Sequence, residues 1–236
     1  MTYVAYRNSR LLVNDSHVTG NIKEWSVNLR RSYASVSSIL DDGERFIPGL
    51  RSGAMSLNGT FDSAAGSLYE RAAATRTAED ALLVTVMPEG FTAGKLALFA
   101  VTDLDGLDVQ SATDDAVKVS VSAQADDGVD VGRVLHVHQA ETANGNTTAV
   151  DDAASTATGG AGALHVTALT GLTGLTVKVQ HSTDNTVWAD LITFTAATGK
   201  TSERKAITGA VNRYVRALWT VTGTGSATFA VAFARR

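Results

Sequence analysis

The chain has 236 residues, long enough to bury a core in one or two domains, and its lack of cysteine excludes disulfides and thiol chemistry. Its net charge of −4 divides unevenly, with 18 acidic against 12 basic side chains in residues 1–140 and 6 against 8 in residues 141–236. No apolar run approaches the roughly 18–20 residues of a membrane-spanning helix, and the segment from Met1 to Arg7 lacks a signal peptide's apolar centre. The expectation is a protein without membrane insertion, not secreted by a cleaved signal, and assembled in a reducing cytoplasm.

In chain order, the first strong alternation is Trp25, Val27 and Leu29, which predicts a strand over 22–29. The next is Met55, Leu57 and Phe61, a strand over 54–61 with Gly59 at a place for a bulge or close backbone approach. Between them lie about two dozen residues rich in Ser, Asp, Gly and Arg, too many for a hairpin connection. Pro48 lacks a backbone donor, and Gly49 and Gly53 permit unusual angles, which predicts that the chain turns here. Tyr33, Val36, Ile39, Leu40, Phe46, Ile47 and Leu50 give the segment more apolar surface than a linker needs. Loops of this length in compact domains are usually functional or disordered, and this composition is not that of a disordered segment.

One short helix follows, with Leu68, Ala72 and Ala73 or Thr75 at helical spacing and Asp62 or Ser63 as candidate caps. Gly66 weakens it, since glycine inside a helix costs about 1 kcal/mol relative to alanine. Strands are predicted over 82–87, 95–101, 116–123 and 131–138. Most of the excess acid lies around them, in Asp103, Asp105, Asp108, Asp114, Asp115, Asp126, Asp127 and Asp130, opposed there only by Lys118. For an isolated domain such a run is a set of solvated loops. Asp103, Asp105 and Asp108 fail the spacing of a calcium loop and read as an acidic turn, and Asp126, Asp127 and Gly128 read as a turn before a strand.

Residues 141–162 are small, polar and Gly-rich, the best linker candidate, and coincide with the change in charge. Beyond them, alternation recurs in Leu164, Val166 and Ala168, and in Leu175, Val177, Val179 and His181. Val215, Ala217, Trp219 and Val221, followed by Phe229, Val231 and Phe233, read as a closing hairpin with one core face. The segment from His181 to Asp190 is similar to a degraded Asp-box, in which Asp184 or Ser182 bonds the turn backbone and Trp188 covers the hairpin base from the core side. Many short strands at fairly regular spacing predict a sandwich or barrel.

Catalytic motifs are missing: there is no G-x-S-x-G, phosphate loop or H-E-x-x-H. His136 and His138 share a strand face, with His165 and His181 on other strands, but no carboxylate or cysteine pattern joins them into a metal site. No catalytic residue, cofactor or metal is therefore assigned.

The order of a strand, a long semi-apolar loop, an F-x-P-G-L-x-x-G segment (Phe46, Pro48, Gly49, Leu50, Gly53) and a strand ending G-x-F-D (Gly59, Phe61, Asp62) resembles the major tail tube proteins of long-tailed, siphovirus-type bacteriophages. The H-S-T-D-x-x-x-W-A-D-L segment and the closing run resemble the C-terminal half of siphophage tail proteins, especially those of actinobacterial hosts. The resemblance implies a mainly β fold: a tail-tube-like sandwich or barrel with one short α-helix over 1–140, a linker over 141–162, and an Ig-like or jelly-roll-like β-sandwich over 163–236. It further implies a non-enzymatic virion protein of the tail, assembled in the host cytoplasm, that polymerises into stacked, hexameric rings for DNA delivery. Tyr33, Ile39, Phe46, Ile47, Pro48 and Leu50 would contact the next ring, and the eight aspartates named above would line a lumen that repels DNA. The implied partners are further copies of the chain, a tape measure protein, tail terminator and tail-tip proteins, and double-stranded DNA in transit. One domain of about 140 residues would suffice for a tube, so the second half could build the wall or decorate its exterior. The alternative is a capsid decoration or tail-tip adhesin whose second sandwich binds a glycan through Trp188 or Trp219.

Overall fold

The computed structural model of the chain describes residues 6–78, 81–113 and 115–236, and it is mainly β. In chain order the strands are β1 (Arg10–Val13), β2 (Ser16–His17), β3 (Ile22–Ser35), β4 (Phe46–Thr60), β5 (Leu82–Met87), β6 (Leu96–Gln110) and β7 (Lys118–Glu141). There follow β8 (Gly145–Asn146), β9 (Val150–Asp151), β10 (Gly160–Ser182), β11 (Ala189–Thr193), β12 (Thr201–Ile207) and β13 (Tyr214–Arg235). All belong to one hydrogen-bonded network, ordered β11-β10-β13-β7-β6-β5-β1-β2, with β3 and β4 attached to the first part of β7. The one α-helix among the described residues, α1 (Leu68–Ala78), starts later than the sequence suggests. Its cap is Ser67, whose Oγ accepts from the Glu70 backbone N–H at 3.2 Å, while Glu70 Oε2 accepts from the Gly66 N–H at 3.1 Å.

Several segments that read as turns are bends within long strands. β7 runs unbroken through Asp126, Asp127 and Gly128, where positive φ values of 59° and 71° at Asp127 and Gly128 redirect the strand without reversing it. β6 likewise continues through Asp103, Asp105 and Asp108, with a register shift between Leu104 and Gly106. The expected closing hairpin is the single strand β13, bent where Gly223 adopts φ 97°. β13 pairs along its whole length with β10, so the two form a ribbon that folds over on itself. The predicted core residues Val215, Ala217, Trp219, Phe229, Val231 and Phe233 do share one core with Leu164, Val166, Leu175, Val177 and Val179, brought together by the fold in the ribbon.

Sheet layers alternate with three cores. The first is closed by Leu11, Val13, Met55, Leu57, Val84, Val86, Val119, Val121 and Leu68 of α1. The second sets Leu12, Leu83, Met87 and Phe99 against Ala161, Ala163, Ala230, Ala232 and Ala234. On β10 and β13 these alanines alternate with the large residues of the third core, so the ribbon is buried on both faces and its small side lets the layers approach closely. Residues 141–162 lie along β13: β8 and β9 pair with it, Trp219 Nε1 donates to the Ala143 carbonyl at 2.9 Å, and the Val221 N–H donates to Asn144 Oδ1 at 2.8 Å.

The seam between the halves contains a buried histidine. His165 Nδ1 donates to the Asn14 carbonyl at 2.6 Å, which leaves Nε2 to accept the Thr85 hydroxyl at 2.7 Å. Burial, only partly offset by Asn14, pushes this imidazole from the ordinary 6.5 down to about 4. The unfolded chain binds this proton more readily, so the stability tied to neutral His165 is complete above pH 6.5 and is lost as the pH falls toward 4. We expect His165→Gln to lessen the loss of stability between pH 6.5 and 4 by up to about 3 kcal/mol relative to the unsubstituted chain, measured by urea denaturation at a series of pH values.

Candidate assembly surface

The segment expected to be a long loop is a protruding β-hairpin. β3 and β4 stay paired from Ile22 with Gly59 to Ser35 with Phe46, so only residues 36–45 form the tip. Pairing of β4 with β7 stops at Ala54 and Gln124; beyond it the two strands leave the sheet as a ribbon about 20 Å long before the tip, held at its root where Arg51 to Gly53 lie against Asp127 to Val129. Pro48 therefore marks no reversal. It pairs with Tyr33 in a ribbon with no third strand, where its missing donor costs nothing, and the register shift between Arg31 and Tyr33 gives β4 one extra residue at Gly49 and Leu50. The bulge expected at Gly59 is present, with Lys23 as the extra residue between Ile22 and Glu24.

The arm extends the apolar face of the first core into solvent. Trp25, Val27, Met55 and Leu57 pack on that core, and the same face continues outward through Leu29 and, past the Arg31–Arg51 pair, Tyr33 and Phe46, the last two with rings 6.4 Å apart. Leu50, Leu40 and Ile39 are 84%, 91% and 100% exposed, and Ile47 is exposed on the opposite face. Fully burying side chains of this kind stabilises by about 1.5–3 kcal/mol each, whereas a lone two-stranded ribbon is marginal in water. Pro48 and the bulge blunt the arm's edges against indiscriminate strand addition.

The root of the arm is held by an ion cluster that sequence reading did not find. Asp130, only 1% exposed, receives Arg204 Nη2 at 2.5 Å, Arg236 Nε at 3.1 Å and, more loosely, Arg51 Nη1 at 3.5 Å. Asp127 receives Arg236, Arg204 at 3.3 Å and Arg51 at 3.5 Å. Partial burial would raise the Asp127 carboxyl, but the Arg236 hydrogen bond and charge, with Arg204 and Arg51, hold it below the usual carboxylate range. These two aspartates are thus set apart from the acids expected to line a lumen: their charge is spent on arginines.

The remaining acids fall on or near a polar sheet face. In the layer β3-β4-β7-β6, Val119, Val121, Met55 and Leu57 face the core, while Ser26, Ser56, Ser122, Asn58, Ser120 and Gln124 occupy the other side in register. Asp103 pairs with Gln124, and Asp108 with Ser120, on that same face. Asp105 is exposed in the β6 bulge, Asp126 is exposed before the β7 bend, and Asp115 is exposed and paired with Lys118 at 2.5 Å. Asp114 lies outside the described residues. Both edges of the layer are open, since β5 pairs with β6 only up to Thr102 and, among the described residues, no strand pairs with the outer side of β3.

The histidines do not converge. His136 stacks on Phe229 at 4.1 Å, whereas His138 meets His17, Phe91 and the Thr167 hydroxyl, and no group of three ligating side chains occurs among the described residues. Asp184 Oδ1 does accept from Ser182, Thr186 and Val187 as the Asp-box likeness predicts. Trp188 departs from it: the ring lies 4.1 Å from Arg216, which sits between the core residues Val215 and Ala217 and so points to the opposite side of β13. Trp219 is in the core, as alternation predicts.

No protein-family model and no curated protein matches the chain. Among solved structures it is similar to a chain of the virion of a native gene transfer agent particle, at 13% identity over 55% of this chain and 98% of that one, with a TM-score of 0.46. It is also similar to the SPP1 tail tube, at 9% identity over 54% and 77% of the respective chains, with a TM-score of 0.45. A third similarity is to SPP1 Dit, described as a paradigm of the hub adsorption apparatus in phages infecting Gram-positive hosts, at 10% identity over 96% and 98%, with a TM-score of 0.39.

Removing one partner from a buried ion cluster costs about 3–5 kcal/mol. Asp130→Ala is expected to lose stability of that order, and Arg51→Gln distinctly less, because Arg51 is the loosest and most exposed of the three partners; urea denaturation checks both.

Proposed function

We propose that the chain is a structural subunit of a bacteriophage tail, closing into rings that stack as a conduit for DNA. The observation that carries this reading is the layer β3-β4-β7-β6, which combines a polar face, two open edges and a projecting apolar arm. Because β3 and β6 are antiparallel across the layer, β6 of one copy set beside β3 of the next continues the antiparallel order, a head-to-tail contact that closes by rotation. Rings of six would follow the family resemblance. The polar faces would then form the lining, with Asp103 and Asp108 giving it a negative field that repels DNA, and Asp105 adding to it. The arm, through Tyr33, Ile39, Phe46, Ile47, Pro48 and Leu50, would reach the adjoining ring. On this reading residues 1–140 supply the conduit, 163–236 an added β unit and 141–162 the passage between them, with tape measure, terminator and tail-tip proteins as further partners.

A hub or tail-tip ring is the second reading. It is favoured by the added β unit, since ring closure uses only the first half, and by Trp188 lying outside the core beside Arg216.

Electron microscopy of the purified protein distinguishes these readings. Tubes are expected, and Ile39→Asp with Leu40→Asp should abolish them while leaving the fold intact by circular dichroism; isolated rings that never stack favour the hub, and monomers or trimers that bind glycans sink the conduit. Tubes carrying Asp103→Lys and Asp108→Lys are expected to bind double-stranded DNA at low salt and release it as salt rises, whereas unsubstituted tubes should not retain it.

A further inference from the structure

The end of the layer opposite the arm is also unfinished. β3 and β7 run from that end toward the arm, and β4 and β6 run back to it, so residues 60–62, 109–113 and 115–118 lie at the far end. There Val109 stands opposite the buried Val119 in the register, on the apolar side of the layer, yet is 47% exposed. Val117, 36% exposed, lies beside Phe61, whose N–H donates to the Val117 carbonyl at 2.8 Å. Phe61 is half-buried and leans on Tyr69 of α1 with ring centroids 4.7 Å apart. The first core is therefore open at both ends of the same strands: outward along the arm, and here at Val109, Val117 and Phe61.

The root of the arm and the far end are complementary in charge, whereas the arm's tip carries Asp41, Asp42 and Glu44 against Arg45. At the root of the arm, Arg30 and Arg31 are exposed and, among the described residues, donate only to neutral acceptors, Asn28 Oδ1 and the Gly49 carbonyl. At the far end Glu24, Asp62, Asp108 and Asp115 outnumber Lys23 and Lys118, and Lys118 is already taken by Asp115. Two different patches at opposite ends of one strand direction make a heterologous contact, which repeats without closing and builds a filament.

We infer that the far end of the layer is the receptor for the arm of a second copy, with Val109, Val117 and Phe61 covered by the arm's apolar face and Arg30 and Arg31 brought toward Asp62. This rests on the stacking proposed above and adds the surface that stacking requires. The occupant is another copy of this chain because the root of the arm supplies what the far end lacks, an apolar cover for Val109, Val117 and Phe61 and positive charge.

Val109 and Val117 are exposed enough for Val109→Asp with Val117→Asp to leave the fold intact, checked by circular dichroism and thermal melting. The doubly substituted protein is expected to form no tubes. A second variant replaces residues 32–50 by Asn-Gly, a turn that suits the direct pairing of Arg31 with Arg51, and should also form none. Mixed, the two variants retain one intact arm and one intact receptor, so they should form a single junction, seen as a two-layer species by sedimentation. Since the chain has no cysteine, Val117→Cys combined in turn with Tyr33→Cys, Ile39→Cys or Phe46→Cys reports the contact as an intermolecular disulfide. Normal tubes from the Val109 and Val117 variant, with no disulfide at any arm position, would overturn the receptor while leaving the conduit standing. Failure of the unsubstituted protein to form tubes would remove both.

Discussion

A carboxylate buried at the junction of three elements is the constraint around which this molecule is arranged. Desolvating Asp130 costs several kcal/mol, and the cost is offset only because Arg51 from the arm, Arg204 from β12 and Arg236 from the C-terminal end reach it together. The carboxylate stands two residues beyond the Gly128 bend that redirects β7. Neutralising it therefore also fixes the direction in which β7 leaves the first half and the angle at which the arm leaves the body. Ionic contact and strand geometry support the same arrangement.

The strands of this fold are long because they serve more than one layer. β6, β7, β10 and β13 each run for 15 residues or more, and β7 lends its first part to the arm layer and its later part to β13. A strand shared in this way must bend where it passes between layers, and a bend needs the same residues as a turn. Asp127 with Gly128, and Gly223 in β13, supply left-handed backbone at those points. The alanine face of the β10 and β13 ribbon completes the scheme, since two layers can close on one pair of strands only if one side is thin.

Polarity in the arm layer follows from its place at the end of this stack. Its inner face is taken by the first core, so its outer face has no protein to meet and carries Ser, Asn, Gln and Asp in strict register. Its edges stay open because β1 and β5 extend the sheet from the other part of β6. A half-apolar sheet with free edges is prone to association, and side-chain chemistry limits that tendency: polar small residues lie on the face, and a proline and a bulge on the arm.

Much was legible from the chain alone. Alternation located the cores: Met55 and Leu57, Leu164 and Val166, Trp219 and Phe229 all point where period two places them, and the surplus of apolar residues around Ile39 and Phe46 is real exposed surface. These properties are local, carried by each residue's neighbours two places away. Whether Pro48, Asp127 or Gly223 reverses a strand or only bends it was decided by tertiary structure, because the backbone angles are alike and the outcome depends on which distant strand lies alongside. The same holds for Asp130, indistinguishable in sequence from Asp103 and made a buried anchor only when Arg204 and Arg236 arrive from the other end of the chain. Residues 141–162 have a linker's composition and yet lie fixed along β13, since hydrogen bonds to Trp219 and Val221 form only once that strand is in place. Composition and period settled what each segment could bury; long-range pairing settled what it was buried against.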